Sequence, residues 1–266
     1  MMVVAIDAGN YETKFYDGRT LRRFPSALGE YRERNLKQQA GEHDYEYEFN
    51  GQKGFAGTLA LMESEFVESQ KGESKAHPDA RLRVLIALHQ FSDTIEHNII
   101  VGQPISKHTA DEKGAIKDML QGRHELTING QRKIIVIRRC EVAAEGVTAG
   151  LLVPTGGIVR IIDIDSGTVN FGTLIDRKFN DKGSFTLGKG LETLKSVQPA
   201  AFARQICIRA LAAGWKGSDS VYICGGGAAA LLEHIKPYFI GVQLLDKDPV
   251  YSNVKAFYLI ARKVYG

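Results

Sequence analysis

Ala5-Ile6-Asp7-Ala8-Gly9-Asn10-Tyr11-Glu12-Thr13-Lys14 and Ile162-Asp163-Ile164-Asp165-Ser166-Gly167-Thr168-Val169-Asn170 read as one motif used twice: an apolar strand, a closing aspartate and a turn of small residues. Such a turn can point backbone N–H groups at a phosphate while its leading carboxylate faces a hydrated magnesium ion. A facing pair makes a two-jawed nucleotide clamp. Either stretch alone reads more simply as an ordinary β-turn closed by Asp and Gly. The case for a nucleotide comes from finding both, at equivalent starts of two similar halves.

Working outward from Asp7, the chain reads as strands at Met2 to Ile6, Thr13 to Tyr16 and Leu21 to Phe24, then a polar stretch from Gly29 to about Lys75. That stretch is expected to form a small inserted lobe, with a hairpin around Asn50-Gly51 and a helix near Leu59 to Val67. Pro78 opens a helix, Asn98 to Val101 is a strand, and Asn129-Gly130 turns a second hairpin. Beyond Thr155 the opening pattern restarts, with strands at Ile158 to Asp163, Thr168 to Ile175 and roughly Arg177 to Phe185. A helix from about Ala200 to Ala212, the strand Val221 to Cys224, a helix through Leu232 and a last helix from about Pro249 follow. The last helix is expected to place Val254, Phe257, Tyr258, Ala261 and Val264 on one face. Strand and helix alternating twice over predict an α/β protein of two domains with its ligand between them.

The totals agree with that class. The 266 residues are 44% hydrophobic and 24% charged, and the 34 basic and 31 acidic side chains are mixed along the chain, without a basic block of the kind that binds nucleic acid. Three scattered cysteines, Cys140, Cys207 and Cys224, read as reduced core thiols, and no signal peptide or membrane span is indicated. A cytoplasmic protein is expected.

Other residues could carry chemistry. Lys14 follows Asp7 on the next strand, where its ammonium could compensate phosphate charge, unless it is a solvated edge-strand lysine. Ser166, Gly167 and Thr168 offer hydroxyls and a flexible backbone, with Asp163 opposite Asp7 across the metal. Gly225-Gly226-Gly227 closes a strand before a helix and would let backbone approach a flat ligand. With Asp246 it also fits G-x-G-x-x-A, which leaves a Rossmann reading open. Glu145 opens an expected helix and could orient an attacking water, or simply complement the helix dipole. There is no G-x-x-x-x-G-K-[ST] or H-E-x-x-H segment, and the seven histidines are scattered singly.

The order Asp7-Ala8-Gly9-Asn10 with Lys14, then Gly102-Gln103-Pro104, Glu145-Gly146, Asp163 through Asn170 and Gly225-Gly226-Gly227 resembles the actin-fold ATPases. Within them it is most similar to the bacterial plasmid-segregation actins of the ParM and AlfA group. The resemblance implies two duplicated βββαβα (RNase H-like) domains with ATP and magnesium in the cleft between them. It also implies filaments that move plasmid DNA through a DNA-binding adaptor protein. By position, Asp7, Gly9, Asn10 and Lys14 match the first phosphate loop, and Asp163, Ser166, Gly167 and Thr168 the second. Glu145 matches the water-positioning acid and Gly225, Gly226 and Gly227 the adenosine loop. Asp7 and Asp163 would hold magnesium through water.

Two features depart from the pattern. Asp165 stands where the second loop usually has glycine, and only about fifty residues separate that loop from the Gly225 strand. The short spacing resembles the AlfA type, in which subdomain IIB is largely missing. The expected domains are residues 1–148 with 250–266, carrying the lobe at about 30–75, and residues 149–249 in reduced form. ATP is the expected nucleotide, with GTP open. A second reading is a small-molecule kinase like the type III pantothenate kinases, which share the fold and an opening Asp-x-Gly-Asn; no clear Gly-x-Asp-Arg segment supports it.

Overall fold

The computed structural model describes residues 1–36, 40–68, 74–194 and 197–266. The chain divides into two compact units, one of residues 1–101, 110–142 and 260–266, the other of residues 102–109 and 143–259.

In the first unit, β1 (Met2–Ala8), β2 (Glu12–Tyr16) and β3 (Leu21–Pro25) form an antiparallel meander. Residues 26–77 then carry β4 (Leu28–Glu30), β5 (Asp44–Phe49), β6 (Gln52–Gly57), the short helix α1 (Thr58–Glu63) and β7 (Val67–Glu68). The helix α2 (Pro78–Phe91), β8 (Glu96–Gln103), α3 (Ala110–Leu120) and the hairpin β9 (Gly122–Ile128) and β10 (Gln131–Ala144) follow. β8 runs parallel to β1, and the sheet order among the described residues is β3-β2-β1-β8-β10-β9-β5-β6-β4-β7.

Local chemistry explains these elements. Both hairpins turn on Asn-Gly pairs with positive φ, 51° and 77° at Asn50-Gly51 and 50° and 80° at Asn129-Gly130, the twist that matches right-handed strands. α2 starts at Pro78, whose missing N–H costs nothing there, and the His77 side chain accepts a hydrogen bond from the Ala80 N–H. The 29–75 stretch does not build a separate sheet. β5 pairs with β9, setting Tyr47 against Ile128 and Phe49 against Leu126, so the lobe continues the main sheet. α1 ends at Glu63, where Ser64 turns extended, and Val67 begins a strand instead of closing the helix.

In the second unit, β11 (Ile158–Ile164), β12 (Val169–Ile175), β13 (Lys178–Phe179) and β14 (Phe185–Leu187) come first. Then follow α4 (Pro199–Ala212), β15 (Ser220–Cys224), α5 (Ala228–Ile235), β16 (Gln243–Leu244) and α6 (Ser252–Tyr265), whose residues from Ile260 on count with the first unit. The order is β13-β12-β11-β15-β16 with β14 also on β12, and β15 runs parallel to β11. Each unit therefore shows the same succession of meander, helix, parallel strand and helix. The single third strand expected at 177–185 is broken in two: the Asn180 side chain accepts from the Gly183 N–H and holds a 3-10 turn between the halves. Only residues 188–198 join β14 to α4, where the first unit has residues 26–77 between β3 and α2.

The cores follow from the apolar faces. Val4, Ile6, Phe15, Leu85 and Ile99 pack in the first unit, and Ile162, Ile164, Phe171, Ile206 and Ile223 in the second. Each such side chain contributes roughly 1.5–3 kcal/mol by leaving water. On α6, Val254, Phe257 and Ala261 are buried, whereas Val264, expected on the same face, is exposed. Among the described residues no helix is long and apolar enough to cross a membrane.

Candidate functional site

The first turn hangs from the end of β1. Asp7 and Lys14 are direct partners across β1 and β2, and the Lys14 ammonium lies 3.3 Å from the Asp7 carboxylate, both side chains buried. Gly9 cannot gain a side chain: a Cβ there would stand 2.7 Å from the Glu12 carbonyl oxygen. Two cations not singled out from the sequence also reach this turn. Lys75 Nζ donates to the Ala8 carbonyl at 2.8 Å, and the buried Arg83 donates through Nη1 to Asn10 Oδ1 at 3.4 Å. Burial pushes the Arg83 guanidinium below its ordinary pKa, against the opposing charge of Asp79. The sequence signal for Arg83 was a charge inside the otherwise apolar run Leu82 to Leu88.

The second turn repeats this register. Asp163 pairs with Asn170 across β11 and β12, seven positions on, as Lys14 is from Asp7. The Asp165 N–H donates to the Thr168 carbonyl at 2.9 Å and closes the turn around Ser166 and Gly167. Gly190 to Glu192 lie against it: the Leu191 and Glu192 N–H groups donate to the carbonyls of Asp165 and Ser166. A Cβ on Gly190 would fall 2.4 Å from the Ser166 oxygen.

Asp163 is the centre of a buried polar cluster. Asn253, from the start of α6, donates Nδ2 to its Oδ2 at 2.9 Å, and the Cys224 thiol approaches its Oδ1 at 3.5 Å. The same Asn253 accepts the Gly146 N–H at 3.0 Å. Glu145 is not in a helix. β10 continues through Ala144, Gly146 turns the chain at φ 71°, and only a 3-10 turn at Thr148–Leu152 follows. Its N–H donates to the Gln103 carbonyl at 2.9 Å, and its Oε1 lies so near Gly102 that a Cβ there would meet it at 2.9 Å. Gly225 belongs to the same cluster. Its φ is 84°, and a Cβ would come within 2.5 Å of the Ile164 oxygen and 2.8 Å of Asp163 Oδ1. The Gly227 N–H donates to that Ile164 oxygen, while Gly226 is open.

The structure thus gathers Asp7, Gly9, Asn10 and Lys14 in the first unit. In the second it gathers Glu145, Asp163 and Gly225 around Asn253, with Ser166, Gly167 and Thr168 at the end of β11. β16 runs parallel to β15 beyond the glycines, but Asp246 is tied to Lys255 at 2.5 Å. Burial alone would raise the Asp246 pKa; that lysine and the Asp248 N–H lower it instead. Among the described residues no three His, Cys, Asp or Glu side chains form a metal cage. Magnesium that keeps several waters needs only one or two carboxylates, so the aspartates beside the turns suit it.

Two βββαβα units, one with a long insert and each with an aspartate one residue from the end of its first strand beside a small-residue turn, define an actin-like fold. The chain belongs to the actin-like proteins: the family model described as "Actin like proteins N terminal domain" matches residues 5–147, more than half its length. Among solved structures it is similar to an AlfA filament bound to AMPPNP, at 20% identity over 100% of both chains with a TM-score of 0.82. It is also similar to the AlfA filament from B. subtilis plasmid pLS32, at 20% identity over 97% of this chain and 98% of that one, TM-score 0.79. A 15-stranded ParM filament from Clostridium botulinum matches at 17% identity over 98% and 99%, TM-score 0.80. No curated protein matches the sequence.

Proposed function

We propose that the chain is an ATPase that binds ATP with magnesium, assembles into filaments in that state and segregates plasmid DNA through a DNA-binding adaptor in the cytoplasm. The observation that carries this reading is the repeated register, Asp7 against Lys14 and Asp163 against Asn170, each beside a turn into which backbone N–H groups can gather. The likeness in fold to filaments of AlfA and ParM, one of them bound to AMPPNP, supports assembly as the use of that nucleotide.

In this proposal Gly9, Asn10 and Lys14 hold phosphate oxygens at the first turn, and Ser166, Gly167 and Thr168 at the second. Gly225, Gly226 and Gly227 accept the adenosine. Asp7 and Asp163 hold magnesium through its waters; the ion, when bound, neutralises phosphate charge. Glu145 orients the attacking water.

Sedimentation of the purified chain with magnesium and ATP, GTP, ADP or no nucleotide tests the reading. Nucleotide-dependent pelleting with phosphate release supports it. Failure to assemble at high concentration, together with phosphorylation of an added alcohol, overturns it in favour of a small-molecule kinase. Glu145→Ala is expected to assemble and to release phosphate slowly; hydrolysis at the normal rate removes Glu145 from the site.

A further inference from the structure

Arg83 is fully buried on α2, yet its hydrogen-bond partners are a backbone carbonyl and an amide. Nε donates to the Ser26 carbonyl at 3.0 Å and Nη1 to Asn10 Oδ1 at 3.4 Å, while Nη2 is buried with no hydrogen-bond partner among the described residues. Asp79, four residues earlier on α2, offsets part of the charge from a distance. A buried guanidinium ordinarily faces a carboxylate, whose two oxygens match its fork. At residue 10 the chain carries the neutral amide instead.

The amide has a consequence that a carboxylate would not. An asparagine has one acceptor end and one donor end, and its neighbours decide which way it points. The Arg83 donor occupies Oδ1, so the Nδ2 group of Asn10 is the end left to donate. A carboxylate at residue 10 would pair more strongly with Arg83 and present only acceptor oxygens to a phosphate.

We propose that Arg83 is a positioning residue for polyphosphate: it locks the Asn10 amide so that Nδ2 donates to a phosphate oxygen, and it keeps a positive charge beneath the turn. The proposal rests on the nucleotide reading above and deepens it at one turn. It makes Asn10 a point where binding is favoured over stability.

The test is a pair of substitutions in the full chain, with ATP, tripolyphosphate and adenosine as probes in the presence of magnesium. Asn10→Asp is expected to raise the melting temperature of the free protein, because Arg83 gains an ion-pair partner. It is expected to weaken ATP and tripolyphosphate binding by about tenfold or more, the scale of one charge-assisted hydrogen bond lost and a repulsion added. Arg83→Met, which adds no negative charge, is expected to weaken the same two ligands and to leave adenosine binding unchanged.

A merely structural Arg83 would change melting without discriminating between ATP and adenosine. Retention of wild-type ATP affinity by either variant overturns the proposal while leaving the nucleotide reading intact, as does an equal loss for adenosine. A lowered melting temperature in Asn10→Asp overturns it too, since Arg83 then does not reach residue 10. If the wild-type chain binds neither ATP nor tripolyphosphate, the nucleotide reading itself fails, and this proposal with it.

Discussion

Asn253 Nδ2 donates to Asp163 Oδ2 at 2.9 Å across ninety positions of sequence, and the Oδ1 of the same amide accepts the Gly146 N–H at 3.0 Å. One side chain therefore fixes both the carboxylate at the end of β11 and the turn that follows Glu145. The geometry uses both ends of the amide, so neither a carboxylate nor an apolar residue can replace it.

Asn253→Leu should cost on the order of 3 kcal/mol, because it leaves a buried carboxylate and a buried N–H each short of a partner. Asn253→Asp should be worse at neutral pH, where two carboxylates would face each other, and should recover as pH falls toward 4 and one of them takes a proton. Urea unfolding of both variants at pH 7 and near pH 4.5 checks this. Equal loss for Asn253→Asp at the two pH values would show that charge repulsion is not the cause.

The buried pair at the first turn makes a separate prediction. Lys14→Met leaves the Asp7 carboxylate buried without its ammonium and should cost about 3–5 kcal/mol. Asp7→Asn combined with Lys14→Met should cost less than the sum of the two single changes. A double-mutant cycle by denaturant unfolding should give a coupling of roughly 1–3 kcal/mol. Strict additivity would mean that the pair contributes nothing specific.

These partners also show what the sequence could and could not disclose. The strands of the first meander, the first two strands of the second, the Asn-Gly turns and the Pro78 helix rest on signals local to a few residues, and the structure has them within a residue or two. The α/β class follows from strand and helix alternating twice along the chain, and the actin-like fold from the resemblance carried by the order of the Asp7, Gly102, Glu145, Asp163 and Gly225 segments. Asn253 carries no such local signal, and the charge of Arg83 within an apolar run marks it as unusual without naming its partner. Each acts on a residue far away in sequence, Asp163 and Asn10, and only the folded backbone brings them together. Glu145 shows the opposite failure. Glu141 to Ala149 has helix-forming composition, but β10 lies beside β8 in the sheet, the Glu145 N–H donates to the Gln103 carbonyl at the end of β8, and the chain reverses at Gly146, tertiary pairing overriding local preference.

The glycines at the end of β15 should differ sharply from one another. Gly225→Ala forces a Cβ to within 2.5 Å of a backbone oxygen at a φ of 84°, which should cost about 3 kcal/mol or more. Gly226→Ala meets nothing within 4 Å and should change stability by no more than about 0.5 kcal/mol. Thermal melts of the two variants side by side provide the comparison. A tolerant Gly225 would mean that β15 does not close against Ile164 as described.

Buried histidines should make the fold sensitive to acid. His97 has no exposed surface, its Nε2 lies 2.8 Å from the Ser92 hydroxyl, and burial holds its pKa down to about 4. Burial likewise lowers His77, His89 and His124. The folded imidazoles stay neutral while the unfolded chain takes up protons from about pH 6.5 downward, so the unfolded state binds more protons and gains on the folded one. Stability should be flat above pH 6.5 and fall as pH drops toward 4. His97 alone accounts for roughly 2 kcal/mol of loss between pH 7.5 and 5. Urea unfolding at those two pH values should show at least that loss in the wild type, and His97→Gln, which keeps a hydrogen-bonding group beside Ser92, should remove its share. A His97→Gln protein with an unchanged pH dependence would place the titrating groups elsewhere.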